Sequence, residues 1–169
     1  FDLIALADQL TEMSLKVIVD PMHGSAAGCM KELFGNYSKS FLKEIRSLRD
    51  SSFGGNAPEP LEKNLQLLIS NVKASALSGD TSIGVAFDGD GDCLAVIDEN
   101  GNYCSNQLLT PLLIEDLAAE KNLPGCVIKT VNGSDLMRLV AEDLGREVIE
   151  VPVGFKYIAS LMLDRNVLI

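Results

Sequence analysis

The chain has 169 residues, 47% of them hydrophobic and 22% charged, which is enough apolar side chain to bury a core in one large domain or two small ones. With 24 acidic residues against 14 Lys and Arg, the formal net charge is −10. That argues against nucleic acid or an anionic membrane as the main partner, because both need a positive surface.

In chain order, the spacing of Leu3, Ala7 and Leu10 predicts a short helix over 3–13. LKVIVD (15–20) is an apolar run ending in Asp and predicts a buried strand. The small, Gly-rich PMHGSAAG (21–28) then opens a helix to about Phe34, and strand, turn and helix together make an α/β unit. A second strand is expected within 40–48, and SSFGGNAPEP (51–60) is too rich in Gly and Pro for regular structure. Leu61, Leu65, Leu68, Ile69 and Val72 fall on one helical face. SIGVAFD (82–88) and LAVID (94–98) read as strands, with GDGDC between them and the tight turn ENGN (99–102) after them.

A helix to about Lys121 follows, its start placed at Thr110-Pro111 as an N-cap and N1 pair. After NLPG (122–125), CVIKTV (126–131) predicts a fresh strand. Ser134 caps a helix through Leu144 that Gly145 closes, EVIEV (147–151) predicts another strand, and a short helix follows Gly154. The expected fold is α/β: two three-layer units with mixed sheets, the second truncated. Residues 1–13 are expected as a linker helix from a preceding domain, 14–105 as the first unit and 106–169 as part of the second. Both ends read as cut within a longer chain.

Cys29, Cys93, Cys104 and Cys126 form no CxxC pair and the chain has one histidine, so a zinc site is not expected and free thiols are. No apolar run reaches the ~20 residues that span a bilayer, and the acid-bearing N-terminus is unlike a secretion signal. A cytoplasmic location is expected.

The segment with the most chemistry in it is Phe87-Asp88-Gly89-Asp90-Gly91-Asp92. Three carboxylates alternate with two glycines directly after a strand. The glycines let the backbone curl and the acids converge, and acids held that close repel one another unless a cation lies between them. Oxygen donors favour Mg²⁺, Ca²⁺ or Mn²⁺ over zinc. An acidic hairpin turn is the plain structural alternative. An EF-hand spacing is met by Asp88, Asp90, Asp92 and Glu99, but its sixth position is Cys93 instead of Gly and the flanks are strand-like. A haloacid-dehalogenase-like phosphatase would use Asp88 as nucleophile and Asp90 as acid/base, but Gly91-Asp92 follows where that family usually has Thr or Val; a non-catalytic metal-binding module is the other alternative.

FDGDGD followed by LAVID resembles the metal-binding loop of the α-D-phosphohexomutases. VDPMHGSAAG (19–28) resembles the start of that family's second domain, FGGNAPEP (53–60) a segment between the two, and VPVGFKYI (151–158) a loop of its third domain. The four matches occur in the family's order and span nearly the whole chain. The resemblance implies an isomerase that moves phosphate between O1 and O6 of a hexose phosphate, through a phosphoserine and a bisphosphate intermediate, with Mg²⁺. The family's phosphoserine loop, its sugar-reading Glu-x-Ser loop and its fourth domain have no counterpart in these residues, so the piece alone is expected to be inactive. Its expected partners are a glucose or mannose phosphate and the remaining domains of its own longer chain, with no nucleic acid and no membrane.

By the same resemblance, Asp88, Asp90 and Asp92 are the metal ligands, and Lys156 moves a proton to or from the sugar hydroxyl. Gly154 lies beside the substrate phosphate, and Cys93 stands where the family typically carries Arg. A thiol cannot replace a guanidinium fork. His23 is expected to pack in its strand-to-helix turn. Gly24, Ser25 and Gly28 are expected to serve tight strand–helix packing in preference to anion binding.

Overall fold

The structure is a computed structural model that describes residues 2–169. It contains two compact units, Phe1–Cys104 and Ser105–Ile169.

In the first unit, helix α1 (Leu3–Glu12) leads into strand β1 (Leu15–Asp20). Helices α2 (Cys29–Phe34) and α3 (Ser38–Phe41) precede β2 (Leu42–Glu44). Helix α4 (Gln66–Leu77), β3 (Thr81–Phe87), β4 (Leu94–Ile97) and β5 (Tyr103–Cys104) complete it. The sheet order is β2-β1-β3-β4-β5. Strand β1 runs parallel to β2 and β3, and the β3–β4 and β4–β5 pairs are antiparallel, so the sheet is mixed.

The apolar run of β1 is continuous because both faces of the strand are covered. Ile18 packs with Leu65 just before α4 and with Leu68, Ile69 and Val72 along it, while Val17 and Val19 pack with Ala7 of α1 and with Phe34 and Phe41. The result is three layers, helix on sheet on helix. Residues 3–12 thus add a buried face to this unit, and Asp2 caps them by accepting the N–H groups of Ile4 and Ala5. The helical face expected from Leu61 begins later: Leu61 is exposed, and Leu65 is the first buried member. Glu62–Asn64 form a separate 3-10 turn, and α4 begins only at Gln66.

In the second unit, α5 (Asn106–Glu115) is followed by β6 (Val127–Thr130), α6 (Asp135–Asp143), β7 (Val148–Val151) and α7 (Phe155–Asp164). Strands β6 and β7 are parallel, with Val127 opposite Val148 and Thr130 opposite Val151, and Cys126 bridges Val167 in parallel. Ile114, Val127 and Ala141 form the core on one face; Cys126, Ile128 and Val151, with Ile158 and Leu161 against them, form it on the other. Ser134 caps α6 through the N–H of Leu136.

The expected helix start at Thr110-Pro111 is corrected. The chain enters α5 from Ser105, whose backbone is extended, and Pro111 lies buried inside the helix. Proline lacks the N–H that would complete the helical ladder. One turn later, over Asp116–Glu120, the helix widens into a π turn in which the Lys121 N–H reaches the Asp116 carbonyl at 2.9 Å.

Candidate functional site

The Asp-rich segment connects β3 to β4 and forms the tip of an antiparallel hairpin. The Asp88 N–H donates to the Cys93 carbonyl at 3.1 Å and closes it. Asp20 at the end of β1 stands opposite Ala86 near the end of β3, so the turn after β1 and the Asp loop leave the sheet side by side. Ends of parallel strands are where ligands are usually held in such sheets.

Asp88 is the organising residue of the loop. Its Oδ1 accepts the N–H groups of Gly91 at 2.9 Å and Cys93 at 3.2 Å. Burial pushes the Asp88 carboxyl up, but the N–H groups of Cys93 and Gly91 outweigh it and hold the group below the ordinary carboxylate value. Ligand atoms of Asp88, Asp92 and Cys93 all lie within 4.8 Å of one another. The Cys93 thiol is pushed up to about 11, first by its hydrogen bond to Asp92, then by burial and by Asp88. Among the described residues, the Asp90 side chain is not part of that group; its backbone carbonyl instead accepts the Ser25 hydroxyl at 2.6 Å.

The donor set tests the fit to a metal. Asp88 and Asp92 supply the converging carboxylate oxygens that a hard divalent cation takes, and Cys93 brings a softer atom to the edge of the group. The loop thus fits a divalent cation through two of its three expected ligands as it stands.

The turn after β1 seats this loop. The Ser25 N–H donates to the Gly89 carbonyl at 2.9 Å, and a Cβ on Gly24 would lie 2.6 Å from that same oxygen, so only glycine allows the approach. Gly24 and Ser25 therefore pack against the Asp loop, and the expectation of strand–helix packing for them is corrected. On the other flank the Gly89 N–H donates to the Pro58 carbonyl at 3.1 Å, which explains why FGGNAPEP lies here. His23 packs as expected: its Nδ1 donates to the Leu48 carbonyl at 2.8 Å and its N–H to the Arg46 carbonyl at 3.0 Å.

One pair escaped the sequence reading. Asp20, wholly buried, receives Arg46 through Nε and Nη2, and its Oδ1 also accepts the N–H of Met22 at 3.0 Å. The pair fixes the base of the turn that carries Gly24 and Ser25. An Asp closing an otherwise apolar strand was the available signal; its partner lies 26 residues on and could not be named from spacing.

Lys156 and Gly154 belong to the second unit. Gly154, at φ 135° in the region that favours glycine, precedes α7, and Lys156 is in its first turn. The exposed Lys156 ammonium lies 4.9 Å from the centroid of the Tyr157 ring, a cation–π distance.

Comparison with known proteins follows the two units. The family description "Phosphoglucomutase/phosphomannomutase, alpha/beta/alpha domain II" matches residues 2–101, and the domain III description of the same family matches residues 105–169. The phosphoglucosamine mutase of Methanocaldococcus jannaschii is 31% identical over 89% of this chain and 33% of its own length. Phosphoglucomutase 1 of Drosophila melanogaster is 31% identical over 96% of this chain and 30% of its own. The crystal structure of a phosphoglucomutase/phosphomannomutase family protein from Burkholderia thailandensis superposes with a TM-score of 0.76 at 26% identity, covering 94% of this chain and 36% of that one. This chain therefore spans about a third of the length of the curated relatives it matches.

Proposed function

Because the chain belongs to the phosphoglucomutase/phosphomannomutase family, as its domains II and III, we propose that it is the metal-loop portion of an enzyme that interconverts the 1- and 6-phosphates of a hexose. The observation that carries this reading is the match of both units, in order, to consecutive domains of one family of mutases. The relatives act, by their names, on glucosamine and glucose phosphates. We propose a hexose phosphate of this class as substrate.

In this reading a phosphoserine from another domain of the full protein gives its phosphoryl group to a sugar hydroxyl. The serine O–P bond breaks, a bond from phosphorus to the sugar oxygen forms, and the hydroxyl proton leaves. The resulting bisphosphate turns over, and its other phosphate returns to the serine. Lys156, in the first turn of α7 after Gly154, takes and returns the proton. Asp88 and Asp92, with Asp90 as the third member of the motif, would hold Mg²⁺, which supplies charge neutralisation for the transferring phosphoryl group when bound. The two amides on Asp88 keep it ionised for that purpose. Cys93, held neutral, adds no positive charge of its own. We further propose a cytoplasmic location; no described helix is long and apolar enough to cross a membrane.

The test is a coupled assay for glucose 6-phosphate formed from glucose 1-phosphate, with Mg²⁺ and a catalytic amount of hexose bisphosphate. The full-length protein turns over and the 169-residue chain stays at background. Turnover by this chain alone would require a nucleophile within it, with Asp88 the first suspect, and would overturn the reading.

A further inference from the structure

We infer that Ser25 is the positioning residue of the Asp88–Cys93 loop: its hydroxyl holds the loop backbone in the shape that brings the carboxylates of Asp88 and Asp92 together. The role of that loop as a metal site rests on the function proposed above; the positioning itself rests on contacts alone.

Ser25 grips the loop at two consecutive peptide units. Its N–H donates to the Gly89 carbonyl at 2.9 Å and its Oγ donates to the Asp90 carbonyl at 2.6 Å, across 65 residues of sequence. The hydroxyl also borders Gly91, where an added Cβ would come within 3.2 Å of it. Ser25 is itself held, because its carbonyl accepts Arg49 Nη2 at 3.0 Å. Immediately before it, the missing side chain of Gly24 lets the backbone reach the Gly89 carbonyl.

The consequence lies one residue beyond the grip. The N–H of Gly91 and the N–H of Cys93 both converge on Asp88 Oδ1, and Asp92 sits between them. If the Asp90 carbonyl turns away, its whole peptide unit turns with it and the Gly91 N–H leaves Asp88. Carbonyl and amide belong to the same peptide unit, so the Ser25 hydroxyl and the Asp88 carboxylate hold opposite ends of one rigid plane. The Ser25 hydroxyl therefore acts on Asp88 through that plane without being a ligand. This makes it an outer-shell partner of the kind that tunes metal sites.

The experiment uses the 169-residue chain, metal-free, with amide hydrogen exchange read at Gly91 and Cys93 by NMR, and the same proteins titrated with Mn²⁺. In Ser25→Ala, exchange at both amides rises by about fivefold, the effect of one hydrogen bond. Exchange across β1 and the melting temperature stay as in the parent. Mn²⁺ affinity falls by a similar factor, and Ser25→Thr, which keeps the hydroxyl, restores both. Unchanged exchange at Gly91 and Cys93 in Ser25→Ala overturns the inference whatever the metal affinity does. So does an equal rise across β1, because that is general loosening. If the parent chain binds no Mn²⁺ while Ser25→Ala still frees the two amides, the positioning stands and the metal reading of the loop falls.

Discussion

Arg46 grips Asp20 with two nitrogens, Nε at 2.9 Å from Oδ1 and Nη2 at 2.5 Å from Oδ2, and the carboxylate it holds has no exposure to solvent. A fork on a carboxylate is a geometry that Arg makes and Lys does not. The pair ties the bend that follows β2 to the end of β1, at the base of the turn that seats the Asp loop.

Removing one partner leaves a buried charge uncompensated. Arg46→Ala is expected to cost about 3–5 kcal/mol of stability, the usual loss when a buried pair is broken from one side. Arg46→Lys should recover only part of it. Urea unfolding followed by circular dichroism measures both, and a loss under about 1 kcal/mol for Arg46→Ala would show that water repairs the site.

The turn that closes β4 onto β5 titrates in acid. Burial pushes the Asp98 carboxyl up, but the N–H of Asn102 at 2.7 Å, the Asn102 side chain at 2.9 Å and the N–H of Asn100 at 3.0 Å pull it below its ordinary value of 3.8. A depressed folded value means that the stabilisation is complete above the unfolded value and is lost as pH falls through the folded one. Stability should therefore drop below about pH 4, and Asp98→Asn should show a shallower drop over the same range. Parallel slopes for the two proteins in acid thermal melts would exclude Asp98 as a contributor.

In the function proposed above, Cys93 stands at the position where the resemblance places an Arg. In the full-length enzyme, Cys93→Arg is expected to raise kcat/KM by about tenfold, the worth of one hydrogen bond to a charged group. Steady-state kinetics with glucose 1-phosphate decide it. No gain would mean that the thiol is tolerated at no cost.

Lys156→Ala in the full-length enzyme should lower kcat by about 10²–10⁴-fold and leave KM within a few-fold, as for the loss of a general acid or base. The split is the informative reading, since a change confined to KM would make Lys156 a binding residue only.

Much of the architecture was determined by the sequence alone, because it depends on near neighbours. The unbroken run of β1 announced a strand covered on both faces, Ser134 announced the start of α6, and the glycine before Phe155 announced the start of α7. The Asp loop was legible for the same reason: three acids and two glycines lie between two predicted strands, and its ordered companions pointed to the family. Tertiary contact decided the rest. Pro111 looked like a helix start and lies buried inside α5, which begins five residues earlier at Asn106. Spacing made Asp88, Asp90 and Asp92 equivalent. The fold separates them: the carbonyl of Asp90 is engaged by a serine 65 positions earlier, while Asp88 gathers two amides and Asp92 turns toward it. A one-dimensional pattern records which groups can form a site. Only the sheet, by bringing the ends of β1 and β3 side by side, chooses which of them face one another.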